Sequence, residues 1–203
     1  GEKLLADLHA MEVAYLENDR NELEITRPVS LKEIVVGNTI DSSGNEVELT
    51  ALAELKDISN WNEDNEHKRN RYSVSFDLIN EMFFDDFSQP HYFGRIRRVN
   101  LQISSNSNVR LSAELSMDQN FLRTSSSTNQ GIENRIGVQT LATSTANSEY
   151  GKYNFNFNKD KFTPFEGAGI DSHWNLTVSA PLDFNPDSIT DVIIEINYTA
   201  RNG

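Results

Sequence analysis

The chain has 203 residues, a formal net charge of −13, 37% hydrophobic content and no cysteine. That length suits one large domain, or one domain with an appended helical element. The charge argues against bulk attraction to nucleic acid or to an anionic membrane surface, and the lack of thiols excludes disulfides, thiolate zinc sites and cysteine nucleophiles. No run approaches the ~20 apolar residues of a membrane span. The start, Gly1-Glu2-Lys3-Leu4-Leu5, has neither the apolar stretch nor the cleavage site of a signal peptide.

Leu4, Leu8, Met11 and Tyr15 recur at helical spacing, and Leu5 and Leu16 widen the stripe. They predict a helical entry segment over residues 1–20, either the truncated end of a longer helix, since no capping residue precedes it, or an amphipathic helix covering one edge of the domain. Residues 21–203 are expected to form the β domain that follows. Leu23, Ile25 and Arg27 alternate with polar residues in a short strand expected to stop at Pro28. Ser30-Leu31-Lys32-Glu33 has capping-box spacing and predicts one or two helical turns before Gly37. Asp41-Ser42-Ser43-Gly44-Asn45 is a turn cluster, Leu49 to Leu55 suggests a short helix, and Asp57 to Asn70 reads as a polar loop carrying Trp61.

From Tyr72 onward the period is two. The runs are Tyr72–Leu78, Val99–Ile103 with a phase slip near Arg97 and Arg98 that suggests a bulge, and Val109–Leu115. Ile136 and Val138 followed by Leu141, then Tyr153–Phe157, Trp174–Val178 and Val192–Tyr198 complete the series. One face of each run is apolar and the other polar, as in sheets with one dry and one wet side. The expected class is therefore mainly β, an antiparallel β-sandwich of about seven to eight strands with an N-terminal helix and short helical segments. Ser104–Asn108 and Thr124–Gln130 have the composition of mobile loops.

Residues that carry chemistry are scattered. His9, His67, His91 and His173 are isolated, with no HExxH pair. Asp57, Asn62, Asp64 and Glu66 gather oxygen ligands in one loop, but the central glycine of an EF-hand is missing, so a solvated loop is the better reading and calcium the lesser one. Asp85-Asp86 has no second member for acid–base work. Gly167-Ala168-Gly169 fails the GxGxxG pattern at Ser172, and no Walker motif or GxSxG elbow occurs. Arg95, Arg97 and Arg98 form a basic cluster, best read as pairing with surrounding acids. No catalytic residue, cofactor site or metal site is assigned.

Four blocks occur together and in order. They are Leu8–Glu17 running into Leu23–Arg27 and Val29-Ser30-Leu31; Pro90–Val99; Phe162–Gly169 followed by Trp174-Asn175-Leu176; and Asp187–Ile193 with the close Tyr198-Thr199-Ala200-Arg201. In these blocks the chain resembles the C-terminal B-component-binding domain of the A component of Tc-type insecticidal toxin complexes. The resemblance implies a secreted bacterial toxin whose A component is a homopentameric, bell-shaped pore. Its C-terminal domain gathers into a funnel that receives the β-propeller of the B component. The B and C components enclose a toxic enzyme that passes through the channel. This domain would then be a non-enzymatic docking platform without direct membrane or nucleic-acid contact. The segment 32–70 is longer than relatives usually carry, and Ser104–Asn108 stands where they tend to have a Gly-Pro loop.

Within that frame, Pro164, Phe165, Glu166, Gly167, Ala168 and Gly169 read as a structural corner rather than a site, since proline fixes φ and glycine permits positive φ or close approach. Trp61 and Phe121, aromatic residues in polar surroundings, are the candidate partner-binding anchors. The alternative is a carbohydrate-binding β-sandwich, in which Trp61 or Trp174 stacks on a sugar ring and calcium sits among Asp57, Asn62 and Asp64. A jelly-roll hydrolase would need paired carboxylates, and no candidate pair is present.

Overall fold

Strict apolar–polar alternation gives each strand one face that must leave water, and two sheets meeting on those faces satisfy the requirement together. In the computed structural model, residues 2–10, 22–83, 92–124, 132–133, 141–157 and 163–201 are described. Residues 2–10 form helix α1. The strands in chain order are β1 (Glu22–Ser30), β2 (Val35–Ile40), β3 (Glu46–Thr50), β4 (Asn62–Asp64), β5 (Arg69–Leu78) and β6 (Tyr92–Ser105). They continue with β7 (Leu111–Leu122), β8 (Ile132–Glu133), β9 (Leu141–Ala146), β10 (Lys152–Phe155), β11 (Asp171–Pro181) and β12 (Ile189–Arg201), and helix α2 (Ala51–Lys56) lies between β3 and β4.

The first sheet has the order β1-β12-β6-β10, and the second β4-β5-β11-β7-β8 with β9 also paired to β7. All described pairings are antiparallel, so the fold is the antiparallel β-sandwich expected. Ile103, Val192, Ile194, Ile196 and Tyr198 from the first sheet face Val74, Leu115, Trp174, Leu176 and Val178 from the second, all fully buried. Burying each such side chain contributes on the order of 1.5–3 kcal/mol. The bulge expected near Arg97 is present: Ile96 pairs with Tyr198 and Arg98 with Asn197, which leaves Arg97 as the extra residue.

Helix α2 forms as expected, with Thr50 Oγ1 accepting from Ala53 N at 3.1 Å as its N-cap. Ala51, Leu52 and Leu55 go inward. The β5–β6 side is closed by Phe83, whose ring meets Tyr198 edge-on at 5.3 Å while its carbonyl accepts from the Tyr198 hydroxyl at 3.2 Å. Burial pushes that hydroxyl up to about 12.

Three local expectations are corrected. β1 runs through Pro28 to Ser30, because β1 is an edge strand and a missing N–H on its open side breaks no ladder bond. Ser30 does not start a helix: its Oγ accepts from Lys32 N at 3.1 Å and its carbonyl from Glu33 N at 3.0 Å, and this single turn leads into β2. Ser104 and Ser105 belong to β6, and Ser105 is buried, with its Oγ accepting from Ser107 N.

The Asp41–Asn45 cluster is the turn of the β2–β3 hairpin, where Asp41 Oδ1 accepts from Ser43 N and Asn45 N and Gly44 takes φ +84. The Thr124–Gln130 run beyond Thr124, the Ile136–Val138 run, the Asp85-Asp86 pair, His91 and the 20/21 segment boundary lie outside the described residues. Among the described residues no helix is long and apolar enough to cross a membrane.

Candidate functional site

The two ends of the sandwich differ. At one end lie the β1 start, the β7–β8 side and the corner that precedes β11; at the other lie α2, the β4–β5 turn, and the connections β6–β7, β9–β10 and β11–β12. The corner at the first end is a tie between sheets. Gly167 N donates to Ile96 O at 2.8 Å, Ile96 N to Ala168 O at 2.7 Å, and Ile170 N to Gly94 O at 3.1 Å. These bonds lie along β6 beyond the stretch that β10 covers. Gly169 N donates across the sandwich to Asn120 Oδ1 on β7 at 2.7 Å.

A Cβ on Gly169 would lie 1.9 Å from the carbonyl oxygen of Phe121, so only glycine fits. Phe165 holds φ +69, a left-handed backbone that costs a non-glycine residue about 1–2 kcal/mol. Its fully buried ring, edge-on to Trp174 at 4.8 Å, offsets that cost. Pro164 and Ala168 are buried and Glu166 is exposed. The segment therefore has the geometry of a corner. Phe121, half-buried at the end of β7, lends its backbone to this tie.

Trp61 lies at the opposite end and is 8% exposed. Its Nε1 donates to Leu55 O at 2.7 Å, and its ring meets Phe184 at 5.8 Å and Tyr72 at 6.4 Å. A tryptophan so held can serve a docking surface only through the turn it anchors, which presents Ile58 at 63% exposure. Tyr72 donates to Glu54 Oε1 at 2.5 Å; burial, then the carboxylate partner, raises its hydroxyl well above the usual phenol range.

Residues 57–70, expected as a polar loop, instead carry a single 3-10 turn, β4 and the start of β5, and their oxygen ligands serve local donors. Asp57 Oδ1 accepts from Ser59 Oγ at 2.7 Å and Ser59 N at 3.0 Å, and the hydroxyl bond, then the amide bond, lowers its pKa. Asp64 accepts from His67 N at 3.1 Å, His67 Nδ1 at 2.8 Å and Arg69 Nε at 3.2 Å; the amide bond is the largest cause holding its pKa low. Asn62 and Glu66 are exposed. No group of three or more His, Asp or Glu converges on one point among the described residues.

His173 on β11 lies between two carboxylates, Asp77 Oδ1 at 2.6 Å from Nδ1 and Asp118 Oδ2 at 3.7 Å from Nε2, on opposite sides of its ring. Arg95 and Arg97 pair with Glu22 at 3.0 Å and Glu24 at 3.2 Å, as expected of that cluster. The stacking platform of the carbohydrate alternative is corrected: Trp174 is fully buried, with Nε1 donating to Ser172 Oγ at 2.6 Å, because β11 is a central strand and this position faces the core. The shallow groove on the outer face of the first sheet is lined by amides already bonded to neighbours, Gln102 to Asn154 at 2.9 Å and Asn100 to Glu195 at 3.4 Å.

One exposed aromatic escaped the sequence reading. Glu149-Tyr150-Gly151-Lys152 closes the β9–β10 connection, with Glu149 N donating to Lys152 O at 2.9 Å and Lys152 N to Glu149 O at 3.0 Å. Tyr150 at φ +53 and Gly151 at φ +80 give both central residues the positive φ of a type I′ turn. Such turns favour Asn-Gly, and Tyr150 occupies the Asn position with 106% exposure. A Tyr-Gly pair just before the alternating Tyr153-Phe155 run was the available signal.

Residues 1–200 match the family described as Tc toxin complex TcA C-terminal TcB-binding domain. Toxin subunit YenA2 of Yersinia entomophaga is 28% identical over 220 residues, covering 100% of this chain, and the chain spans 14% of that relative's length. Among solved structures, a decameric BFDV capsid protein covers 90% of this chain and 98% of its own at 13% identity and a TM-score of 0.33. A family 11 carbohydrate-binding module from Clostridium thermocellum covers 90% and 89% at 10% identity and a TM-score of 0.23.

Gly169→Ala should destabilise the fold by about 3 kcal/mol, since overpacking against fixed backbone cannot relax through a side chain; a urea melt with an unchanged midpoint would contradict the tie. For Asp57 and Asp64, folded pKa values below the ordinary 3.8 mean that their bonds support the loop above that pH and are lost as pH falls through the folded values. Carboxyl-carbon NMR titrations should give midpoints below 3.8 for both.

Proposed function

The chain belongs to the family of Tc toxin complex TcA C-terminal TcB-binding domains, and from that premise we propose that it is the docking module of a toxin A component that receives the β-propeller of the B component. The observation that supports the reading is the extent of the match: residues 1–200 take in strands of both sheets, from β1 into β12. On this reading the domain is non-catalytic and works within a secreted complex, as one of five copies at the mouth of the A-component pore. Residues 1–20 act as the helical entry and residues 21–203 as the docking domain.

Three features support a docking role. Ile58 at 63%, Tyr150 at 106% and Leu182 at 37% exposure place apolar groups on separate connections at one end of the sandwich, where loops on a rigid scaffold carry binding. Trp61 contributes by fixing the turn that carries Ile58, and Phe121 by joining the corner that holds the two sheets in register. The third support concerns chemistry: His67 and His173 are each held by a neighbouring carboxylate, Asp64 and Asp77, at separate places on the fold. The net charge of −13 keeps so exposed a surface soluble.

The chain, immobilised at high density to mimic a ring, should bind the cognate B–C shell saturably, and binding should vanish when the B propeller is deleted. Absence of binding at any density, or binding that survives propeller deletion, would sink the proposal.

A further inference from the structure

We propose that Tyr150 is the anchor by which this module engages its TcB partner, its ring entering an apolar pocket with a hydrogen-bond acceptor at its base. The inference rests on the docking reading above and assigns a residue and a chemistry to it.

Three independent features converge on Tyr150. The first is exposure: at 106% it is more exposed than the other large hydrophobic residues described, and a ring left wholly in water is available to a partner without rearrangement of the core. Tyrosine is enriched among residues that dominate interface energetics, because it brings a large rigid apolar ring and a polar tip with little rotamer entropy to lose.

The second is backbone. At φ +53, ahead of Gly151 at φ +80, Tyr150 holds a position that asparagine or glycine fills without strain. Folding alone does not call for tyrosine there. The ring makes no buried contact that would offset the left-handed backbone, unlike Phe165, whose φ +69 accompanies complete burial. Strained residues of this kind cluster at active sites, ligand clamps and switch regions.

The third is rigidity. Gly151 O accepts from Ser105 N at 2.9 Å, which ties the turn to the end of β6. Two residues on, within β10, the Tyr153 hydroxyl donates to Val109 O at 2.6 Å with Ser107 O at 3.0 Å, which ties the strand to the β6–β7 loop. Ser105 Oγ reaches Ser188 Oγ at 2.9 Å, linking the same point to the β11–β12 connection. The tyrosine is thus presented on a braced support, and little ordering entropy remains to be lost on docking.

The test uses Tyr150→Asn and Tyr150→Gly, both of which suit a type I′ turn and so spare the fold. The chain and its variants, immobilised at the same high density, are titrated with the purified TcB component, and each is melted alone in solution. The expected result is a Tm equal to or above the parent's together with a loss of affinity of at least about tenfold. Affinity within about twofold of the parent overturns the anchor role while leaving TcB docking intact. A loss of affinity accompanied by a lowered Tm overturns it too, since the tyrosine would then be structural. If the parent chain itself fails to bind TcB, the docking reading falls and this inference with it.

Discussion

The close approach of Gly169 to the Phe121 carbonyl is the contact on which the sandwich depends. Two sheets that meet only through apolar side chains can slide, because hydrophobic burial has no direction. The corner before β11 removes that freedom: it bonds along β6 in the first sheet, bonds to Asn120 in the second, and brings its backbone to a distance no Cβ would permit. Phe165 then fills the space beneath with its ring against Trp174. Register between the sheets is set at this end by directional bonds, and the apolar layer supplies the bulk of the stabilisation.

Fixing one end in this way determines what the other can do. Every connection at the far end leaves a strand whose position is already set, and the connections are braced against one another through Ser105, Tyr153 and Trp61. Short bonded loops on a rigid scaffold present side chains in a single arrangement, which suits docking to a preformed surface. The type I′ turn at Tyr150 goes further, holding an aromatic residue in a backbone conformation that a smaller residue would adopt more easily.

The inner strands were legible because burial on one face writes a period of two: Val74 to Leu78, Leu111 to Leu115, Trp174 to Val178 and Val192 to Tyr198 all go inward as the pattern predicts. The slip at Arg97 was legible for the same reason, since an extra residue shifts the phase. The β2–β3 hairpin was not, because it is largely exposed on both faces: Val35, Ile40 and Val47 face water and leave no alternation to read. Trp61 looked like a surface aromatic because its surroundings in sequence are polar. Its true neighbours, Phe184 and Leu55, reach it through the fold. The exposed tyrosine was hidden by the opposite effect, in a turn whose tyrosine resembles the core aromatics that follow it.

Hydrogen–deuterium exchange of the chain alone and bound to TcB bears most directly on the claim that a rigid sandwich docks through its far-end connections. The account predicts new protection at the amides of 147–152 and 57–61, with the corner at 163–170 protected equally in both states. Protection confined to the corner end or to the outer faces of the sheets, with 147–152 unchanged, would contradict it.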